Sequence, residues 1–167
     1  MNLSIRPALV HDSALILRFI QELAVYEKAG DQVAATVDTL ATSLFAADSP
    51  ARALICEVDG KAVGYAIYFF NYSTWQAKKG LYLEDLYITP TQRGTGAGKR
   101  LLRHLAAIAT EQGCGRFEWS VLDWNQPAID FYQSIGAQPQ DEWVRYRMQG
   151  AALQDFAAPQ AKPGAQG

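Results

Sequence analysis

The 167-residue chain has only two cysteines, Cys56 and Cys114, and two histidines, His11 and His104. The cysteines lie far apart and lack C-x-x-C spacing, so the sequence offers neither a disulfide framework nor a zinc site. Neither histidine has an evident partner ligand, which leaves both as ordinary surface or partly buried side chains. An excess of positive charge is also missing. Lys+Arg number 15 against 17 Asp+Glu, a formal net charge of −2. That balance argues against nucleic-acid binding, which needs a clustered positive surface. The opening residues, MNLSIRPALVHD, lack the apolar stretch of a signal peptide and meet Arg6 early. The longest strongly apolar run, AVGYAIYFF, is far too short to cross a bilayer. A cytoplasmic protein with no membrane partner is the expectation.

What is present reads as one ordinary globular domain. Apolar residues make up 49% of the chain and charged residues 19%, enough to bury a core and too little charge for a disordered chain. LSIRP, residues 3–7, reads as a short strand. Asp12 can cap a helix that carries Leu15, Ile16, Phe19, Ile20 and Leu23 on one face to about Tyr26. A second helix starts near Thr36 and includes Leu40, Leu44 and Phe45. ALICEV and KAVGYAIYFFNY, separated by Asp59-Gly60, read as a hairpin, because both turn positions want positive φ. The loop STWQAKKG leads to a strand, LYLEDLYI, and a helix follows from about Ala97 to Gly113. RFEWSVL is then a strand, PAIDFYQSI a short helix and EWVRYRM a last strand. The order β-α-α-β-β-β-α-β-α-β predicts an α/β protein: a mixed sheet flanked by helices, antiparallel first, with a β-α-β crossover in its second half. Residues 1–149 form the expected domain. Residues 150–167, rich in Ala, Gln, Pro and Gly, form a tail expected to be mobile.

Between the strand and its following helix lies QRGTGAGKR, with glycines at 94, 96 and 98. Lys99 stands where a dinucleotide fingerprint needs its third glycine. Arg100 follows Gly98-Lys99 where a nucleotide P-loop needs Ser or Thr, and Arg93 occupies the place of its first glycine. Neither motif fits, yet the context favours an anion. A strand delivers the chain to a turn, a helix starts there with its first amides unpaired, and glycines let the backbone come close. Arg93 can add a forked contact.

RGTGAG, residues 93–98, resembles the R/Q-x-x-G-x-G/A signature of the GNAT acetyltransferases. LYLEDLYI and VLDWNQPAIDFYQSIGA (residues 121–137) are similar to segments of the diamine and thialysine N-acetyltransferase branch. IRPA (residues 5–8) and ELAVYEKA (residues 22–29) extend the likeness over residues 3–149. The resemblance implies the GNAT acyl-CoA N-acyltransferase fold and acetyl-CoA as co-substrate, with no metal. It implies that Arg93, Gly94, Thr95, Gly96, Ala97, Gly98 and Lys99 cradle the pyrophosphate. It also implies that the backbone of Leu86, Tyr87 and Ile88 pairs with the pantetheine arm, one N–H there polarising the thioester carbonyl. By the same likeness Asn125 and Ala128 contact the cofactor, and Tyr132 protonates the departing thiolate.

Acetyl transfer to an amine also needs a group that removes a proton, since a lysine-like amine has a free pKa of about 10.4. Glu84 lies two residues before Leu86 and so shares its face of the strand, which makes it the first candidate to bind the amine and pass its proton to water. Asp85, pointing the other way, is second. Two adjacent acids inside an apolar strand are unusual. The resemblance places Tyr26 and Glu27 near the acceptor, with Glu118, Trp119 and Ser120 on its other side. The expected partner is a small amine, thialysine- or lysine-like or a polyamine, and a homodimer is implied. Two alternatives stay open: a GNAT acting on an antibiotic amine or a protein N-terminus, and a non-catalytic acetyl-CoA sensor.

Overall fold

Segments rich in Val, Ile, Leu, Tyr and Phe pair into a five-stranded sheet in the computed structural model, which describes residues 1–159. The chain divides into two units, Met1–Trp124 and the part from Asn125 onward. The first unit holds the strands β1 (Leu3–Pro7), β2 (Ala51–Val58), β3 (Lys61–Ser73), β4 (Lys78–Ile88) and β5 (Phe117–Trp119). It also holds the helices α1 (Ser13–Tyr26), α2 (Val37–Ser43) and α3 (Ala97–Glu111). The sheet order is β1-β2-β3-β4-β5. The first four strands are antiparallel, and β5 joins β4 in parallel through the β4-α3-β5 crossover. This is the expected mixed sheet. The hairpin turn has φ of 48° at Asp59 and 76° at Gly60, the positive pair that the D-G signal requires.

The side-chain alternation of the strands divides the sheet between two helices. Ile55 of β2, Tyr65 of β3 and Tyr87 of β4 share one face and form a buried cluster with Ile16 and Phe19 of α1. Ile88, next along β4, belongs to the opposite face and meets α3 at Gly98. There α3 buries Ala97, Leu101, Leu102, Leu105 and Ala109, the stripe that its sequence predicts. Asp12 occupies the cap position of α1, but its carboxylate does not cap the helix. It accepts the Leu9 N–H at 2.8 Å and the Arg6 guanidinium at 2.8 and 3.0 Å. Arg6 in turn reaches Glu57 at 2.8 Å, so one guanidinium joins β1, β2 and the start of α1.

β2 starts two residues before ALICEV, at Ala51, and two further strand boundaries differ from expectation. β4 begins at Lys78 and so takes the end of the supposed loop STWQAKKG, because β3 runs on to Ser73 and supplies partners down to Lys78. β5 keeps only Phe117–Trp119 of RFEWSVL.

The second unit contains α4 (Gln126–Ser134) and α5 (Gly150–Ala157). EWVRYRM is not a strand. A strand needs a neighbouring edge for its amides and carbonyls, and the described residues of this unit contain no strand to supply one. Within the tail, Gly150–Ala157 is helical, and residues 160–167 lie outside the described residues.

Candidate active site

The glycine segment sits at the head of α3. After Ile88, a single 3-10 turn at Pro90–Gln92 leads to Arg93 in extended conformation. Gly94 and Gly96 then adopt φ of 78° and 89°, and Gly96 is the N-cap of α3. Side chains rarely enter this left-handed region, which is why glycine alternates here. Beyond the adjoining residues, nothing lies within 4 Å of where a Cβ would stand at either position, so the outer side of this turn is open. The third glycine differs: Gly98 lies inside the helix, and a Cβ there would stand an ordinary 3.7 Å from Ile88. The first helical bond runs from the Arg100 N–H to the Gly96 carbonyl, so the amides before it have no acceptor within the helix. Thr95 Oγ1 donates to the Gln92 carbonyl at 2.7 Å and tightens the loop.

The charges at this helix start are inverted. Acidic residues normally occupy the first turn, where the dipole is positive; α3 has none there and carries exposed Lys99 and Arg100 instead. A bound anion resolves that repulsion. The Arg93 side chain turns back rather than outward. Its Nε donates to the Ile88 carbonyl at 3.0 Å, and its guanidinium lies 5.0 Å from the Tyr26 ring and 5.4 Å from the Tyr87 ring.

β4 supplies the rest of the site. Beside β5 it is paired only at Leu81–Leu83, so no strand among the described residues borders that edge from Glu84 to Ile88. The backbone of Leu86, Tyr87 and Ile88 thus pairs with β3 on one side and has no described strand on the other, the Ile88 carbonyl being taken by Arg93 Nε. On the β3 side, Ile67 faces Asp85 and Tyr68 faces Leu83, which leaves Glu84 as the extra residue of a β-bulge. Glu84 is exposed there, whereas Asp85 is half-buried on the face of the sheet that packs on α1.

Asp85 is tied to a buried phenol. The Tyr65 hydroxyl donates to Asp85 Oδ2 at 2.6 Å. Desolvation pushes the Asp85 carboxyl above its ordinary pKa, against the Tyr65 hydrogen bond that lowers it. Glu27, just past the end of α1, is also raised, first by desolvation and then by the charge of Asp85. Burial, then Asp85, raises the Tyr65 hydroxyl, with smaller pushes from Glu27 and Glu84. The Tyr65 hydroxyl thus contacts one carboxylate and feels the charge of two more, surroundings that favour a cation.

Other expected residues stand nearby in this unit. Tyr82 of β4 is paired with Glu118 of β5, and its hydroxyl hydrogen-bonds Ser120 Oγ at 2.8 Å. Glu118 and Ser120 thus share the sheet face of Asp85, while Trp119, paired with Leu83, belongs to the other face and packs on Phe117 at 4.9 Å. Tyr26 lies 6.2 Å from the Trp124 ring, over which the Lys28 ammonium stands at 4.2 Å.

Asn125, Ala128 and Tyr132 belong to the second unit. Asn125 holds the N-cap position of α4, but its backbone carbonyl, which accepts the Ile129 N–H, makes the cap contact rather than its side chain. Tyr132 is half-buried beside Phe131, ring centroids 5.7 Å apart. No group of three or more His, Cys, Asp or Glu among the described residues is placed to hold a metal, and no described helix is long and apolar enough to cross a membrane.

Sequence reasoning missed Tyr65, Lys28 and Trp124. Tyr65 carried one signal, since a tyrosine in a buried strand needs a partner for its hydroxyl and an acid stood in the next strand. The pairing itself depends on register across a bulge, which the sequence does not display. Lys28 carried none: it adopts φ of 60° after α1, where glycine or asparagine is usual.

A family model described as "Acetyltransferase (GNAT) family" matches residues 19–137. The thialysine N-epsilon-acetyltransferase of Sus scrofa is 38% identical over 164 residues, covering 92% of this chain and 96% of that protein. An L-ornithine N5-acetyltransferase of Arabidopsis thaliana is 44% identical over 96 residues, which are 58% of this chain and 42% of that protein. Among solved structures, an integron cassette protein from the mobile metagenome of V. cholerae superposes with a TM-score of 0.80 at 29% identity, covering 95% of this chain and 99% of that one.

Proposed function

The chain belongs to the acetyltransferase (GNAT) family, and from that premise we propose that it moves the acetyl group of acetyl-CoA to a primary amine of a small cationic acceptor by direct attack. The acceptor is a thialysine- or lysine-like amine or a polyamine. One observation carries this reading: the run from Glu84 to Lys99 joins acidic side chains, an open strand edge and a glycine-turned helix start in continuous order.

Acetyl-CoA supplies an acetyl group already activated as a thioester. The amides of residues 94–99, with the ammonium of Lys99, hold its pyrophosphate. The open edge at Leu86, Tyr87 and Ile88 pairs with the pantetheine arm, and an N–H of that edge donates to the carbonyl oxygen as negative charge develops. Asp85 and Glu27 hold the acceptor's ammonium, with Tyr26, Glu118 and Ser120 completing its surroundings. Glu84, exposed at the bulge, passes the amine's proton to water. Tyr132 gives the leaving thiol its proton, and Asn125 and Ala128 contact the cofactor. The reading extends to a homodimer and to a cytoplasmic site of action.

Steady-state release of coenzyme A with thialysine, lysine, ornithine, spermidine and putrescine tests the proposal. One amine is expected to turn over with high kcat/KM, and Tyr132→Phe to lower kcat with acetyl-CoA affinity unchanged. Acetyl-CoA binding with no turnover on any amine would leave a cofactor sensor instead.

A further inference from the structure

We infer that Tyr65 is a positioning residue: its buried hydroxyl fixes the Asp85 carboxylate, ionised and correctly aimed, for the acceptor's ammonium. The inference rests on the acetyltransferase reading and adds a residue that touches neither substrate.

Tyr65 is fully buried in the middle of β3, its ring stacked on Phe19 at 5.7 Å with planes 20° apart. A ring held on that face has little freedom, so its hydroxyl marks a fixed point. A buried phenol needs one hydrogen-bond partner, and a backbone carbonyl would serve a purely structural tyrosine. Here the partner is a carboxylate at 2.6 Å, the short spacing of a charge-assisted bond. The register explains the reach. Tyr65 stands opposite Tyr87, and Asp85 is the diagonal neighbour two residues earlier on the same face, within range of a long side chain. The bulge at Glu84 comes immediately before Asp85. It puts Leu83 and Leu81 on the α3 side, so the polar position is confined to one point of an otherwise apolar strand.

Electrostatics gives this bond a task. Asp85 is desolvated, which favours a protonated carboxyl, and its charge in turn raises Glu27. A protonated carboxyl is a poor partner for an ammonium. The Tyr65 hydrogen bond opposes that desolvation. The other charged and titratable groups around the pair are Glu84, next to Asp85, Tyr82 and Glu118 on the same sheet face, and Tyr87, whose hydroxyl donates to Glu22 and whose ring faces Arg93. None of them is hydrogen-bonded to Asp85.

The test is the carboxyl titration of Asp85, followed by carbon NMR of aspartate-labelled protein and assigned with Asp85→Asn, in the native chain and in Tyr65→Phe. The Asp85 pKa is expected to rise by about one pH unit in Tyr65→Phe, the size expected for losing a hydrogen bond to a charged group. With an amine that turns over, KM for the amine should rise about two- to threefold at neutral pH and the acidic limb of kcat/KM should move to higher pH. KM for acetyl-CoA should stay put. Cys56→Ala, an unrelated change in the buried core, serves as the control for lost stability alone and should move none of these. An Asp85 pKa unchanged in Tyr65→Phe would overturn the inference even if no amine were ever found, because the titration needs no turnover. Absence of turnover with a shifted pKa would instead count against the acetyltransferase reading alone. If Tyr65→Phe does not fold, Asp85→Asn carries the test: its acidic limb must vanish and its amine KM must rise, and a native pH profile there would sink the idea.

Discussion

Asp12 and Asp85 are the same residue type pushed in opposite directions. Arg6 holds the Asp12 carboxyl below its usual range through a two-point hydrogen bond. Asp85 has no cation partner among the described residues, and desolvation carries it upward. A depressed folded pKa adds stability above the ordinary carboxylate range, and that stability is lost as pH falls through the folded value. Asp12→Asn should therefore cost about 2 kcal/mol in urea unfolding at pH 7, with the gap from the native chain narrowing on acidification. A raised folded pKa has the opposite sign: ionised Asp85 weakens the fold at neutral pH. Asp85→Asn should leave thermal stability equal or higher, by up to about 1 kcal/mol, while weakening amine binding. A drop in both would mean that Asp85 is structural. The glycines make a similar contrast. Gly96→Ala should destabilise by about 1 kcal/mol, because φ there is 89°. Gly98→Ala should be neutral or stabilise by up to about 1 kcal/mol, since it replaces a helical glycine of the first turn without collision. Thermal melts of the two variants should move apart. These loop residues were legible in the sequence because positive φ restricts the residue type. The sequence favours Glu84 over Asp85, because simple alternation across a regular strand conceals a bulge.

At the scale of elements, most of the sheet could be read from apolar runs and the Asp59-Gly60 turn, and α1 and α3 from their periodicity. What could not be read was pairing. β4 pairs with β5 for only Leu81–Leu83, and that early parting opens the edge used by the proposed site. Nothing in LYLEDLYI or RFEWSVL records where two strands separate, because the divergence belongs to the sheet as a whole. The start of α3 yields a further prediction. Lys99 opposes the positive end of the helix dipole and benefits only when an anion is bound. Lys99→Gln should leave the free protein slightly more stable, by a few tenths of a kcal/mol. It should weaken acetyl-CoA binding about three- to tenfold, with a shallower dependence on salt. Calorimetric titration at two ionic strengths measures both. Equal affinity in the two proteins would show that the loop amides suffice.

For the whole molecule, EWVRYRM is the part where sequence preference and observed structure disagree most. Its alternation and its Trp, Val and Tyr content favour a strand, yet the described second unit offers it no edge. Trp143, Val144 and Tyr146 are 68%, 76% and 93% exposed, unusual for three large apolar side chains within four residues. A segment with strand preference and uncovered aromatic surface is satisfied by pairing with another chain, and the proposed homodimer supplies one. If this segment joins two copies, the native chain sediments as a dimer at micromolar concentration. Val144→Glu with Tyr146→Glu then sediments as a monomer, because a charge directed into a buried strand interface is costly. Circular dichroism should report some loss of strand signal on dissociation, since the ladder would form only between copies. A native chain that sediments as a monomer at the concentrations that support turnover would remove the dimer from the proposal. It would leave the acceptor chemistry of Asp85 and Tyr65 intact, because all of those residues belong to the first unit.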